Sequence, residues 1–375
     1  MTKIHINKFQ RYLLLSLVIA LLNATLLLIF FVPQLNHSDT PEYISTIRYV
    51  LGDPEGQVFL HRILNPMPVL ISAALSPVFG IKNALVAQNF IFYFLSIYLI
   101  FILTYRLYQN ERQAFYGTIL YMGAFPLLHF GLAPLTDMPG WFFFLLSVLI
   151  TLNLLKKPQL KTAFLAGLAA SFGMLFKESV AVAPIFFVSF LFIAIQLPLK
   201  EKLKYILVFG AAFSFFPAIN SVILYNLYSY FYLDAFRLGG IHGDVVASGF
   251  YMVSHLRIII EIGRVLLIGW LFVLLGGLKE FALRNIERIK ILIAFMPASL
   301  SFLLWCYPHN RMIFIAAPLL ILLASFGILR NYKNPKINIF VELSLLSLYL
   351  FTNYTILWFL VKHGDFLQQF LIYNI

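Results

Sequence analysis

Four short polar clusters carry the groups that can do chemistry in this chain. The first reads His37-Ser38-Asp39-Thr40-Pro41-Glu42-Tyr43, and His61-Arg62 follows it about twenty residues on. The others are Thr136-Asp137-Met138-Pro139, Lys177-Glu178-Ser179 and His309-Asn310-Arg311. A carboxylate can take or orient the proton of an acceptor hydroxyl. Fixed cations can hold a phosphate and stabilise the charge that develops as it leaves, Arg as a bidentate fork and Lys as a point charge. Asp39 is therefore the candidate base, with Glu42 supporting it. Arg62, Lys177 and Arg311 are the candidate phosphate-binding cations. Tyr43, Asp137, Glu178, His309 and His242 are candidates for contacting sugar or acceptor.

Each cluster also has a purely structural reading. Asp39-x-x-Glu42 at the start of a helix is close to a capping box, a role compatible with catalysis. Asp137 at a helix N-terminus is stabilised by the macrodipole whatever else it does. Lys177 and Glu178 can form a local ion pair, and Arg311 can snorkel to an interface with His309 as a turn residue. His242 sits in a glycine loop, Arg237 to Asp244. No strand precedes that loop and no lysine follows, so it is no phosphate-binding motif but a loop that covers substrate. His37, His61, His129, His242, His255 and His309 show no metal-ligand spacing, and no metal is expected from them.

The elements that must position these groups are membrane helices. Of 375 residues, 61% are hydrophobic and 11% charged, against roughly a quarter charged in ordinary globular chains. A mean hydropathy of +0.89 excludes a water-exposed surface. Forty Phe and twenty Tyr suit lipid-facing and interfacial positions. The net charge of +12 does not imply nucleic acid, because Lys and Arg fall in short clusters between apolar runs. Cys306 alone cannot form an internal disulfide. The fold class is all-α and polytopic, a single domain over 1–375.

Candidate spans, several of them short, lie at 11–33, 84–106, 113–130, 138–155, 162–176, 180–197, 205–225, 258–278, 291–306, 312–329 and 337–361. The first is too long for a secretory signal and is read as an uncleaved span. Segment 66–80 is short and carries three prolines. If it does not cross, the loops between spans place fifteen Lys and Arg on the cytoplasmic side and six on the other beyond residue 84, as the positive-inside rule requires. The expectation is about eleven spans, N-terminus in, C-terminus out, with outer loops at 34–83 and 226–257. Residues Tyr43, Ile44, Ile47, Val50 and Leu51 recur at helical spacing and predict a helix lying on the membrane surface.

Ten of the fifteen acidic residues then gather on the outer face or near it, and Glu342 lies inside the last span. A transporter would place its acids near the midplane on broken helices. A polar rim at one face suits an enzyme.

In their order and common sidedness, these motifs resemble those of the GT-C glycosyltransferases. The similarity is to the branch holding protein O-mannosyltransferases and the lipid A aminoarabinose transferase. It rests on Asp39-Thr-Pro-Glu-Tyr43 with Arg62 before a proline-bearing helix, and on Leu135-Thr-Asp-Met-Pro139. It rests also on the glycine-bearing helix from Gly167 that ends Leu-Phe-Lys177-Glu178, and on His309-Asn-Arg-Met-Ile leading to Ala317-Pro318-Leu319. The resemblance implies an extracytoplasmic transferase in a cell (inner) membrane. Its donor would be a polyprenyl-phosphate sugar, and its acceptor a glycan, lipid or protein. Some branches bind a divalent metal through Asp-x-Asp, which the first loop lacks, so no cofactor is assigned. A transporter or flippase of a lipid-linked saccharide, and a non-catalytic subunit of a glycan-assembly complex, are the alternatives.

Overall fold

A computed structural model describes residues 7–35, 37–230, 255–304, 309–329 and 335–364. His242 and nearly all of the loop expected at 226–257 on the outer side lie outside the described residues. Those described are overwhelmingly helical, as hydrocarbon demands, since only a helix satisfies its backbone polar groups within one segment.

The chain opens with α1 (Lys8–Phe30), which starts on a reciprocal capping box between Asn7 and Gln10. Then come α2 (Thr40–Val50), the single turn α3 (Leu60–Ile63), α4 (Pro66–Phe79) and α5 (Ile81–Tyr108). Next are α6 (Glu111–Met122), α7 (Phe125–Phe130), α8 (Asp137–Thr151), α9 (Leu160–Met174), α10 (Ala183–Ile193) and α11 (Leu199–Tyr228). The C-terminal third holds α12 (His255–Leu266), α13 (Gly269–Leu283), α14 (Ile286–Ser299), α15 (Asn310–Ile313), α16 (Ala317–Ile328) and α17 (Pro335–His363).

Six helical segments are individually long and apolar enough to cross a membrane: 8–34, 81–108, 137–155, 199–228, 310–328 and 335–363. A seventh arises if α12 and α13 are one span broken by a bend of 80°. Other expected spans are helical but interrupted. Segment 113–130 divides at Gly123-Ala124, where Pro126 in the first turn of α7 prevents a continuous ladder. Segment 180–197 starts as a 3-10 turn, Glu178–Val182, before Pro184 opens α10. Between α12 and α13, Leu267 adopts a left-handed φ of 49°. Segment 66–80 is helical, as α4, but only 14 residues long.

The helix α2 does not lie free on a surface. Tyr43 and Ile47 are buried against Val69 and Ala73 of α4 and Leu85 of α5, so protein covers its apolar face, while Val50 and Leu51 stay exposed. Elsewhere the core is aromatic: Phe187 stacks on Phe209 at 4.1 Å, and Phe143 on Phe176 at 5.1 Å. Helices α13 and α16 cross backbone to backbone. A Cβ added at Gly276 would meet Leu323 O at 1.9 Å, and one at Gly327 would meet Phe272 O at the same distance. Small residues at such crossings let membrane helices approach closely.

Glu342 faces a polar partner rather than an apolar stretch. About two turns into α17 and fully buried, it accepts from Tyr116 OH at 2.7 Å and lies 3.6 Å from Arg112 Nε. The apolar sequence around it did not reveal these partners, because both come from α6.

Candidate active site

Helix α2 brings the first two carboxylates to one rim. Pro41 in its first turn costs no hydrogen bond there. Asp39 occupies the N-cap position, yet its side chain makes no capping bond, so the capping box suggested by Asp39-x-x-Glu42 does not form. Both carboxylates turn instead to cations. Arg62 on α3 places Nη2 3.0 Å from Asp39 Oδ1 and 2.7 Å from Glu42 Oε2, and its Nε donates to the same Glu42 oxygen at 2.8 Å. His61 Nε2 also meets Glu42 Oε2, at 2.7 Å. The Arg62 guanidinium lies over the Tyr43 ring, 4.7 Å from its centroid.

Two asparagines fix this corner. Asn65 Nδ2 donates to Met174 O at 2.7 Å, and Asn220 Nδ2 donates to Leu64 O at 3.0 Å. The α3–α4 junction is thereby tied to the end of α9 and the middle of α11. That tie sets Arg62 beside the segment that carries Lys177.

The second half of the rim centres on Asp137, at the start of α8 and almost fully buried. Lys177 Nζ stands 4.0 Å from Asp137 Oδ1 and 3.3 Å from Glu178 Oε1. Arg311 Nη1 stands 3.8 Å from Asp137 Oδ2 and donates to Asp39 Oδ2 at 3.0 Å. Lys177 and Arg311, far apart in sequence, thus flank one carboxylate from opposite oxygens. Lys177 is neither solvated nor confined to its neighbour Glu178. Arg311 does not snorkel outward, since it links Asp39 to Asp137. His309 Nδ1 accepts from the Arg311 backbone N–H at 3.4 Å, and its ring meets Phe130 edge-on at 5.4 Å. Tyr43 OH and Thr136 Oγ1 share a hydrogen bond of 2.8 Å, which joins α2 to the turn before Asp137.

Electrostatics follow from these contacts. Burial alone would raise the Asp39 pKa, but Arg311, Arg62 and Lys177 outweigh it and hold the carboxyl well below the usual carboxylate range. Burial likewise disfavours the Lys177 charge, and Glu178 and Asp137 more than offset it, so Lys177 stays charged. The His37 ring is pushed down to about 4, chiefly by burial, with the carboxylates of Asp137 and Asp39 opposing and Arg311 adding to the fall. It is neutral near pH 7.

Several residues that sequence reading did not single out hold the site in place. Gly140 leaves room for Lys177: a Cβ there would stand 2.7 Å from Lys177 Cβ and 3.0 Å from Ser179 Oγ. Buried Asn89 ties down the turn before Asp137 by donating to Ala133 O at 2.6 Å and Leu135 O at 2.9 Å. Glu261 on α12 accepts from Asn310 N at 3.1 Å and so anchors the residue before Arg311. His37 and His129 face each other, ring centroids 5.2 Å apart, and present buried nitrogens without a hydrogen-bond partner among the described residues. No spacing rule marks any of these, because each acts through a neighbour remote in sequence.

Among the described residues no three His, Cys, Asp or Glu side chains converge in a way that could hold a metal ion. The rim contains four carboxylates (Asp39, Glu42, Asp137, Glu178) interleaved with three cations, and this set can bind an anion and handle one proton. Beside it, Phe143 and Phe172 pack on Phe176, the neighbour of Lys177. These two rings, with Leu165, Leu168 and Phe216, also line an open apolar groove of about 420 Å³ on the bundle surface.

Residues 65–220 match the sequence model of the dolichyl-phosphate-mannose-protein mannosyltransferase family. The match supports the resemblance to membrane glycosyltransferases of the GT-C type. It contains Asp137, Lys177 and Glu178, while Asp39, Glu42 and Arg62 precede it and Arg311 follows it. A search of curated proteins finds no match.

Proposed function

We propose that this chain transfers a sugar from a polyprenyl-phosphate donor to an acceptor hydroxyl at the extracytoplasmic face of a cell membrane. The observation that carries the reading is the shared rim, where cations from three distant segments alternate with carboxylates beside an open apolar groove. In the reaction the bond between the anomeric carbon and the phosphate oxygen breaks with its electron pair on the phosphate. A bond forms from the acceptor oxygen to that carbon, and the acceptor proton passes to Asp39. A phosphate leaving group needs little acid assistance, so one carboxylate and fixed positive charge suffice. Arg62, Arg311 and Lys177 hold the phosphate, and Asp137 keeps the latter two in register. Glu42 holds Arg62. Tyr43, Glu178 and His309 border the sugar or acceptor, and the apolar groove suits part of the prenyl chain.

A transporter would need polar groups continuing through the spans. Glu342 does not supply one, since Tyr116 and Arg112 already engage it. The purified protein in nanodiscs should release sugar from polyprenyl-phosphate-linked sugars, by transfer or slow hydrolysis, and Asp39→Asn should abolish release. Passage of the intact lipid-linked sugar across a bilayer without cleavage would establish the flippase instead.

A further inference from the structure

The Asp39 carboxylate bridges two guanidinium groups, one on each oxygen. Arg62 Nη2 lies 3.0 Å from Oδ1 and Arg311 Nη1 lies 3.0 Å from Oδ2. That is how a phosphate would be gripped by the same pair, with one anionic oxygen to each fork. We infer that Asp39 and the donor phosphate compete for Arg62 and Arg311, so that the donor binds by exchange and frees Asp39 for the acceptor hydroxyl. This rests on the proposed reading of the rim as a phosphate site.

Charge counting favours exchange over addition. Four carboxylates already surround three cations, and every rim cation has a carboxylate partner within 4.0 Å. A phosphodiester adds one more negative charge and meets no rim cation without a carboxylate partner, so it can gain a cation in this largely buried site only by drawing one away from a carboxylate. If Arg62 and Arg311 swing toward the phosphate, Asp39 loses its cationic partners and its proton affinity rises. The groups that bear on its basicity are then Lys177, His37 and the phosphate itself, with Glu42 still facing Arg62 and Asp137 still facing Arg311.

The transfer step keeps the same balance. Before it, Asp39 and the phosphodiester each carry one negative charge. After it, Asp39 is neutral, having taken the acceptor proton, and the released polyprenyl monophosphate carries two. The two arginines stand between the group that loses charge and the group that gains it. A base that stays clasped until the donor arrives also makes the reaction ordered, donor before acceptor.

Farnesyl phosphate, a prenyl monophosphate without sugar, tests this with the full chain in nanodiscs. Asp39→Asn should bind it at least tenfold more tightly than the wild type while losing turnover, and Asp39→Ala should shift affinity in the same direction. Plain repulsion between two anions would also tighten binding, so the decisive measurement is a double-mutant cycle. In an Arg311→Ala background the gain from Asp39→Asn should shrink to under threefold, because one of the cations it frees is gone. An unchanged affinity in Asp39→Asn, or the same tenfold gain with Arg311 removed, overturns the exchange. A different failure would strike the phosphate site itself: farnesyl phosphate binding unaffected by both Arg311→Ala and Lys177→Ala. A melting temperature of Asp39→Asn close to wild type confirms that affinity is read on a folded protein.

Discussion

Replacing Gly140 by alanine tests the rim without touching any charged group. Lys177 lies across the face of α8 at Gly140, and an added Cβ would stand 2.7 Å from Lys177 Cβ, 3.1 Å from Lys177 Cγ and 3.0 Å from Ser179 Oγ. Carbon pairs settle near 3.5–4.0 Å, so roughly 1 Å must be found. The obstructing atom is a Cβ, which moves only with its backbone, and the Lys177 N–H is fixed to Gly173 O at 3.0 Å. Alanine in a helix gains about 1 kcal/mol over glycine, while overpacking costs about 1–3 kcal/mol, so net stability should change from nearly nothing to a loss of about 2 kcal/mol. Function should suffer more. Lys177 displaced by 1 Å no longer presents its ammonium between Asp137 and Glu178, and one charge-assisted hydrogen bond to phosphate is worth about 1.5–3 kcal/mol. Donor affinity in nanodiscs should then fall roughly ten- to hundredfold, with turnover at saturating donor also reduced. Gly210→Ala and Gly277→Ala are the controls, because nothing lies within 4 Å of either added Cβ. They should melt at or slightly above the wild-type temperature and bind donor normally. A Gly140→Ala protein with wild-type donor affinity would refute the placement of Lys177 in the phosphate site.

Stability should fall with acid in two stages. The folded His37 keeps a pKa of about 4 against 6.5 for a free ring, so between those values the unfolded chain takes up a proton that the folded one refuses, and stability drops as pH falls. Asp39 acts lower: its contribution is complete above the ordinary value of about 3.8 and is lost as pH falls toward its depressed folded value. Melting temperatures in detergent should decline from pH 6.5 to 4, and His37→Gln should make that decline shallower; a wild-type profile that His37→Gln leaves unchanged would contradict the burial of a neutral His37. For topology, cysteines placed at Val58 and Lys82 after removal of Cys306 should react with an impermeant reagent from outside, and those at Gln109 and Gln159 only from inside. Reaction of Val58 and Lys82 from opposite faces would show that α4 crosses. Arg311→Lys should recover only part of the donor affinity lost in Arg311→Ala, since an ammonium lacks the fork, whereas full recovery would argue for charge alone.

The helices and the grouping of the rim residues were legible in the sequence for different reasons. Helices follow from the solvent, because long unbroken apolar runs in hydrocarbon satisfy their backbone as helices, whereas barrel strands would alternate apolar and polar residues. Lys177 and Arg311 were legible because the expected topology puts them on the side that disfavours cations, where each needs a partner, and both do meet Asp137. The breaks in the helices were less so. Pro126 signals the start of α7, but Leu267 is an ordinary residue in a left-handed conformation that no residue type announces. Asp39 and Glu42 show the limit of local rules: three-residue spacing is right for a capping box, and Arg62 and Arg311 outcompete the backbone for both side chains. Gly140 was invisible because glycine is common in membrane helices, and its purpose appears only when Lys177 is seen lying across it.

The crossing of α13 and α16 has a consequence for how the protein is built. Because Gly276 and Gly327 bring two backbones into direct contact, a side chain at either position would hold α13 and α16 apart, and the docking of α16 on α13 needs both glycines. Arg311 sits just ahead of α16 and is carried to the rim with it. Until that docking occurs, a nascent chain presents Asp39 and Asp137 without the guanidinium that joins them. Completion of the rim therefore coincides with completion of the bundle, and a misassembled chain would bear the same four acids with one of their three cations missing.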